Sequence, residues 1–215
     1  MDLKDWDEKL AEEFLEGITF IFDVAKISSP IHYAVYYTLQ YIFWEIVAVG
    51  GLLVDMKLSA ALMQKLLVNF GEEGAKEIEI TDEETTDLVK NNDEFKRILN
   101  DLIKNKDSIE LNNYKTNFVE KDLYLSLHGV TLDLIGNKNN DNTWNLKVEL
   151  TDVYDFTDFK SLGEYATAVD SIPMSIFATI LNNLAVVSSE YGVIKPYTFT
   201  MKFELNNYEV NEVNR

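Results

Sequence analysis

Two stretches of strict alternation constrain this chain more than any other feature. Trp144, Leu146, Val148 and Leu150 alternate with Asn145, Lys147, Glu149 and Thr151. Near the C-terminus, Tyr197, Phe199, Met201, Phe203 and Leu205 alternate with Thr198, Thr200, Lys202 and Glu204. A period of two turns every second side chain to the same side of an extended strand, so each stretch buries one face and leaves the other to water. A lone strand cannot cover that apolar face, and the chain must therefore build a sheet with something packed on one side of it.

The rest of the sequence supplies helices for that role. Trp6, Leu10, Phe14, Ile18 and Ile21 recur at three- and four-residue spacing between acidic residues, which predicts a helix over 3–25. Ser28, Ser29 and Pro30 interrupt it, and Ser29 with Pro30 is a start signal for a second helix. From Ile27 to Trp44 no Asp, Glu, Lys or Arg occurs, and the apolar character resumes after Glu45 as far as Val54. Its length approaches the spanning threshold. His32, Gln40 and the tyrosines at 33, 36, 37 and 41 suit a buried core helix better than lipid, with a conditional membrane-inserting segment as the alternative. Gly50 and Gly51 end or kink it, and a further helix is expected over Leu58–Phe70. Residues 71–94 read as an acidic surface loop with a helical turn, where Thr81 and Glu84 have capping-box spacing. Phe95, Ile98, Leu99, Leu102 and Ile103 then mark a short amphipathic helix capped by Asn92.

After Asn105 the period changes to two. A strand over Leu123–Ile135 is expected to pair with the Trp144 strand around the turn Asn137–Asn142. Met174, Phe177, Ile180, Leu181, Leu184 and Val187 form the stripe of one more helix before the final strand. The expected class is α+β, with N-terminal helices packed with a C-terminal antiparallel sheet and one crossing helix. Residues 1–91 form a helical region, and residues 92–215 a strand-rich α+β region that is continuous with it or separate. Trp144, Leu146, Phe199, Met201 and Phe203 are expected to share one core with Phe177 and Leu181.

Composition narrows the function. The 215 residues include 37 acidic and 19 basic side chains, a formal charge of −18. Nucleic-acid binding needs clustered Lys and Arg to displace counterions, so no nucleic-acid partner is expected. The charge serves solubility or a docking surface for a basic partner. No cysteine is present, which excludes disulfides, thiolate chemistry and Cys-ligated zinc. The acidic start, MDLKDWDEKLAEEF, is not a secretory signal peptide. Export would need another carrier, and the expected location is outside the cell by such a route, or the cytoplasm before export.

Two segments can carry chemistry. In LTDVYDFTDF, Asp152 and Tyr154 continue the even positions of the Trp144 strand and so point to its apolar face. A carboxylate there needs a partner, a hydrogen bond or a cation. Asp155 and Asp158 lie close by in sequence, so the cluster can supply an acid and a base, or hold magnesium or calcium on Asp152 and Asp155. A hydrated turn is the structural alternative. In DLYLSLHG, the residues Asp122, Tyr124, Ser126 and His128 would share one strand face. His128, one of two histidines, could meet Asp152 across the sheet as an acid–base partner or stand there as a structural hydrogen-bonding group. No phosphate-cradling glycine loop, nucleophile elbow or paired-histidine zinc motif occurs.

DLYLSLHG, NTWNLKVEL, TDVYDFTDF and LNNLAVVSSEYGVIKPYTFTMKF together resemble the C-terminal toxic modules of Gram-positive polymorphic toxins, including LXG proteins, over about residues 92–205. A narrower resemblance is to the colicin M family of lipid II-cleaving bacteriocins. Its Asp-x-Tyr-Asp motif is matched by Asp152, Tyr154 and Asp155. Its following His-Arg pair is not matched, since Ser161 and Leu162 stand there; His128 would have to take the histidine's place. The resemblance implies an antibacterial effector acting at the cell envelope, by precursor hydrolysis or by membrane permeabilisation, with a cognate immunity protein as partner. Read without it, the alternative is a non-catalytic acidic binding module, such as an immunity or adaptor protein.

Overall fold

The computed structural model describes residues 30–53, 56–68, 77–119, 121–127, 129–156, 172–190 and 194–210. In chain order these form α1 (Pro30–Leu53), α2 (Lys57–Val68), β1 (Glu77–Ile80), α3 (Glu83–Lys90), α4 (Asp93–Ile103), β2 (Ser108–Asn117), α5 (Lys121–Leu127), β3 (Gly129–Lys138), β4 (Trp144–Tyr154), α6 (Ile172–Glu190) and β5 (Tyr197–Tyr208). The class is α+β, as the mixture of periods requires. The expected helix over 3–25 lies outside the described residues.

The elements divide between two compact units. One holds α1, the body of α2 from Ala60 onward, and α6. The other holds Lys57–Ser59, the run from β1 through β4, and β5. In the first unit, α1 buries Trp44 and Ala48, while Leu39, Ile42, Ile46 and Val49 are exposed. Helix α2 buries Leu62, Met63, Leu66 and Leu67, and α6 buries the run Asn183–Ser188.

The second unit is built on a five-stranded sheet in the order β1-β5-β4-β3-β2. The hairpin of β3 and β4 is antiparallel, with Leu132 opposite Leu150, Leu134 opposite Val148 and Lys138 opposite Trp144. Its turn uses the expected residues. The N–H of Asn139 donates to the Thr143 carbonyl at 2.7 Å, and Asn142 takes a left-handed φ of 69°, which asparagine tolerates better than most side chains. Strand β5 is antiparallel to β4, with Met201 opposite Leu150 and Phe203 opposite Val148.

The expectation of a wholly antiparallel sheet is corrected at one edge. β1 lies parallel to β5, with Ile78 opposite Phe199 and Ile80 opposite Met201, so the sheet is mixed. The segment 71–94 had been expected to form a surface loop with a helical turn. Its described part instead contributes this edge strand and a full helix, α3. Asp82, and not Thr81, caps α3 by accepting the Thr85 N–H at 2.9 Å. Asn92 caps α4 as its position predicts, accepting from the N–H groups of Glu94 and Phe95.

One face of the sheet collects the apolar positions: Ile80, Phe199, Met201, Phe203, Leu146, Val148, Leu150, Leu132 and Leu134 are all buried. Helix α4 turns the buried side chains Phe95, Leu99 and Ile103 inward. The Phe95 ring meets Phe203 edge-on at 5.8 Å, and the Lys90 ammonium sits 5.6 Å over the same ring. Tyr208 reaches Asn100 of α4 through its hydroxyl at 2.8 Å. Trp144, Leu146, Phe199, Met201 and Phe203 share this core. The side chain of Phe177 lies outside the described residues, and Leu181 belongs to the other unit. The opposite face is polar, and Lys202 pairs there with Glu79 at 3.0 Å and Glu149 at 3.9 Å.

Gly136 has a packing reason. A Cβ built on it would lie 2.5 Å from the Asn145 carbonyl oxygen and 2.5 Å from a Leu146 methyl group. Opposite Leu146 in the β3–β4 register, only a bare Cα fits.

Candidate functional site

The end of β4 follows the parity of its sequence. Asp152 stands opposite Phe199 and Tyr154 opposite Tyr197, on the face that carries Leu150 and Met201. Asp152 is half-buried, and its Oδ1 accepts the N–H of Val153 at 2.8 Å. Tyr154 is buried, with its ring 5.6 Å from Tyr197, and Tyr197 continues the aromatic row to Phe199 at 6.1 Å. Burial drives the Tyr197 phenol far above the ordinary tyrosine range, and the neighbouring Tyr154 adds to the shift. Both effects favour the neutral hydroxyl, because a phenolate there would lose its hydration beside a second phenol.

Asp155 directly follows β4 and is exposed; it belongs to the other compact unit. His128 and Asp158 lie outside the described residues. Of the four residues expected to act together, the structure thus sets Asp152 and Tyr154 on one sheet face. Among the described residues, no group of three or more His, Cys, Asp or Glu side chains is placed to hold a metal ion.

The second candidate segment is corrected. Residues 121–127 form a helix, and β3 begins only at Gly129. Asp122, Tyr124 and Ser126 therefore do not line a strand face. Asp122 instead reaches the first turn of α2. Its Oδ2 accepts the Leu58 N–H at 2.6 Å, and its Oδ1 accepts the Ser59 N–H at 2.9 Å and the Ser59 hydroxyl at 2.5 Å. The Ser126 hydroxyl lies 2.8 Å from that of Ser59 and donates to the Asp122 carbonyl at 2.5 Å, one helical turn back. A helix N-terminus leaves N–H groups without intrahelical partners and carries partial positive charge, so a carboxylate is well suited to it.

The cluster of Asp122, Ser59 and Ser126 is thus a long-range helix cap. Sequence reasoning singled out Asp122 and Ser126 but not Ser59. The available signal was weak, because the carboxylate and the N–H groups that it caps are 63 and 64 residues apart in the chain.

Glu94 is the buried carboxylate that the sequence did not flag. It sits in the first turn of α4 and accepts the Val119 N–H at 2.9 Å. Arg97 approaches it at 3.7 Å. This pins the chain between β2 and α5 to the start of α4, a structural use of a charge.

Among the described residues, no helix is long and apolar enough to cross a membrane. Compared with known proteins, the chain matches no family model, no curated sequence and no solved structure.

Proposed function

We propose that this chain is an antibacterial effector domain of the polymorphic-toxin kind, acting at the cell envelope of competing bacteria by hydrolysing an envelope precursor. Asp152, Tyr154, Asp155 and His128 carry the chemistry in this reading. The observation that supports it is the placing of Asp152. A carboxylate stands at the rim of an apolar, helix-covered sheet face, in register with core side chains and next to a buried tyrosine pair. Carboxylates in such settings are candidates for acid–base work. Asp152 or Asp155 would take the proton from an attacking water, His128 would supply the acid, and Tyr154 would orient the group attacked.

The same reading assigns a cognate immunity protein as partner and export from the producing cell. Nucleic acid is not the target of a chain with a formal charge of −18. That charge also favours a second reading, a non-catalytic acidic module that docks a basic partner.

The test is expression in a bacterial host, directed to the periplasm. The wild type and the Asp152→Ala, Asp155→Ala and His128→Ala variants would be compared, each shown to be folded by circular dichroism. The expected outcome is a toxic wild type and attenuated variants. Equal toxicity of all three variants would refute the site. A harmless wild type that rescues cells from a toxin encoded beside it would establish the binding module instead.

A further inference from the structure

Among the described residues, strand β2 is an edge of the sheet, and its sequence and bulge make it complementary to itself. We propose that β2 is a self-association edge, at which two copies of this chain pair their β2 strands antiparallel about a two-fold axis through the Asn112–Asn113 bulge.

The argument starts from the register. Before the bulge, Ile109 and Leu111 lie opposite Gly136 and Leu134; after it, Tyr114 and Thr116 lie opposite Leu132 and Val130. Two residues of β2, Asn112 and Asn113, therefore face only Asp133 of β3. The extra residue is held in place. Asn113 takes a left-handed φ of 56°, and its N–H donates to the Asp133 carboxylate at 2.5 Å. In an uninterrupted strand, Glu110 and Lys115, five residues apart, would point to opposite faces. One inserted residue cancels that difference. Glu110 and Lys115 consequently share the polar face, and Leu111 and Tyr114 share the core face.

Two-fold antiparallel pairing demands this symmetry. Residues directly opposite each other must lie on the same face and must both turn their N–H and C=O groups outward or both inward. In the β2–β2 register centred on the bulge, Glu110 meets Lys115 of the second copy, Leu111 meets Tyr114, Ile109 meets Thr116 and Ser108 meets Asn117. Every pair satisfies both conditions, because the two members of each lie opposite β3 residues an even number of positions apart. The bulge is a mismatch against β3 but not between copies, where two residues face two.

The side chains favour the pairing. Each two-fold contact holds two Glu110–Lys115 pairs of opposite charge and two Leu111–Tyr114 pairs, the kinds of cross-strand neighbour that stabilise a sheet. Glu110, Lys115 and Tyr114 are exposed, and Leu111 is half-buried. Among the described residues β2 has a strand on one side only, so its outward backbone groups are a ready template for another strand. A bulge and a lysine commonly guard such an edge. Here the same two features bring the charges into register.

The interface is one strand wide and each copy carries a large negative charge. Association is therefore expected to be weak, with Kd on the order of tens of micromolar, and the assay belongs near physiological salt, where long-range repulsion is screened. Sedimentation velocity of the full chain across that concentration range, with E110K, K115E and the double variant E110K/K115E, tests the proposal. The wild type should dimerise. Each single reversal turns two attractive contacts into two repulsive ones and should weaken the dimer about tenfold or more, while the double variant restores the opposite pairs and should recover it. Hydrogen exchange should show amides within 108–117 becoming protected as concentration rises. A wild type monomeric up to about ten times the expected Kd would overturn the proposal. So would a dimer indifferent to the single reversals, or a double variant no better than the singles.

Discussion

Replacing Asp122 with alanine tests the most consequential departure from the sequence reading, its use as a cap rather than as part of a strand-face site. The carboxylate satisfies the N–H groups of Leu58 and Ser59 and the Ser59 hydroxyl. Loss of a capping side chain costs about 1 kcal/mol. Loss of a negative charge at a helix N-terminus costs roughly 0.3–1 kcal/mol more. The partly buried donors then lose a charge-assisted acceptor that water replaces only in part. The expected sum is about 2 kcal/mol, or about a thirtyfold change in the equilibrium for opening the first turn of α2. Asp122→Asn keeps one acceptor oxygen and removes the charge, so about half the effect remains. The direct assay is hydrogen exchange at the Leu58 and Ser59 amides. Their protection should fall about thirtyfold in the alanine variant and by an intermediate factor in the asparagine variant. A change below about threefold in the alanine variant would mean that the carboxylate does not hold this helix terminus.

Three further expectations follow from the second unit. Trp144→Ala removes a side chain that is 1% exposed and should cost about 3–5 kcal/mol in urea unfolding; a loss below about 1 kcal/mol would mean that its strand face is not in the core. Gly136→Ala forces a methyl group to within 2.5 Å of the Asn145 carbonyl oxygen and should cost about 1–3 kcal/mol, with a neutral result refuting the close approach of β3 and β4. The third concerns alkali: burial pushes Tyr208 up from 10.0 to about 12, and it pushes Tyr197 up further. Because the folded values are raised, both neutral phenols stabilise the fold fully below about pH 10, and for Tyr208 that contribution is lost as pH rises through its folded value. Tyrosinate absorbance should therefore show Tyr197 ionising only with unfolding, and ionisation of every tyrosine near pH 10 in a chain that stays folded would refute this.

The alternation of β4 and β5, the amphipathic stripe of α4 with its Asn92 cap, and the asparagine-rich hairpin turn were all legible in the sequence. Each is a local matter: period sets the buried face, and a turn or cap needs residues only a few positions apart. The placing of Asp152 and Tyr154 on the apolar face was legible for the same reason, since parity carries along a strand. The segment Leu123–Leu127 was not. Its apolar residues at 123, 125 and 127 fit a period of two, while 123 and 127 equally fit one helical turn, and so short a run cannot decide between them. The decision came from outside, where the first turn of α2 needed a carboxylate and Asp122 met it in a helical conformation. β1 escaped the sequence reading similarly. Four residues of alternating Glu and Ile acquire a strand's identity only beside β5, from which Glu77 takes Thr198 as its partner. Sequence alone determined which faces are apolar and where chemistry could sit; which distant segments meet was decided only when the folded chain had to satisfy the N–H groups of its helix termini and cover the apolar face of its sheet at once.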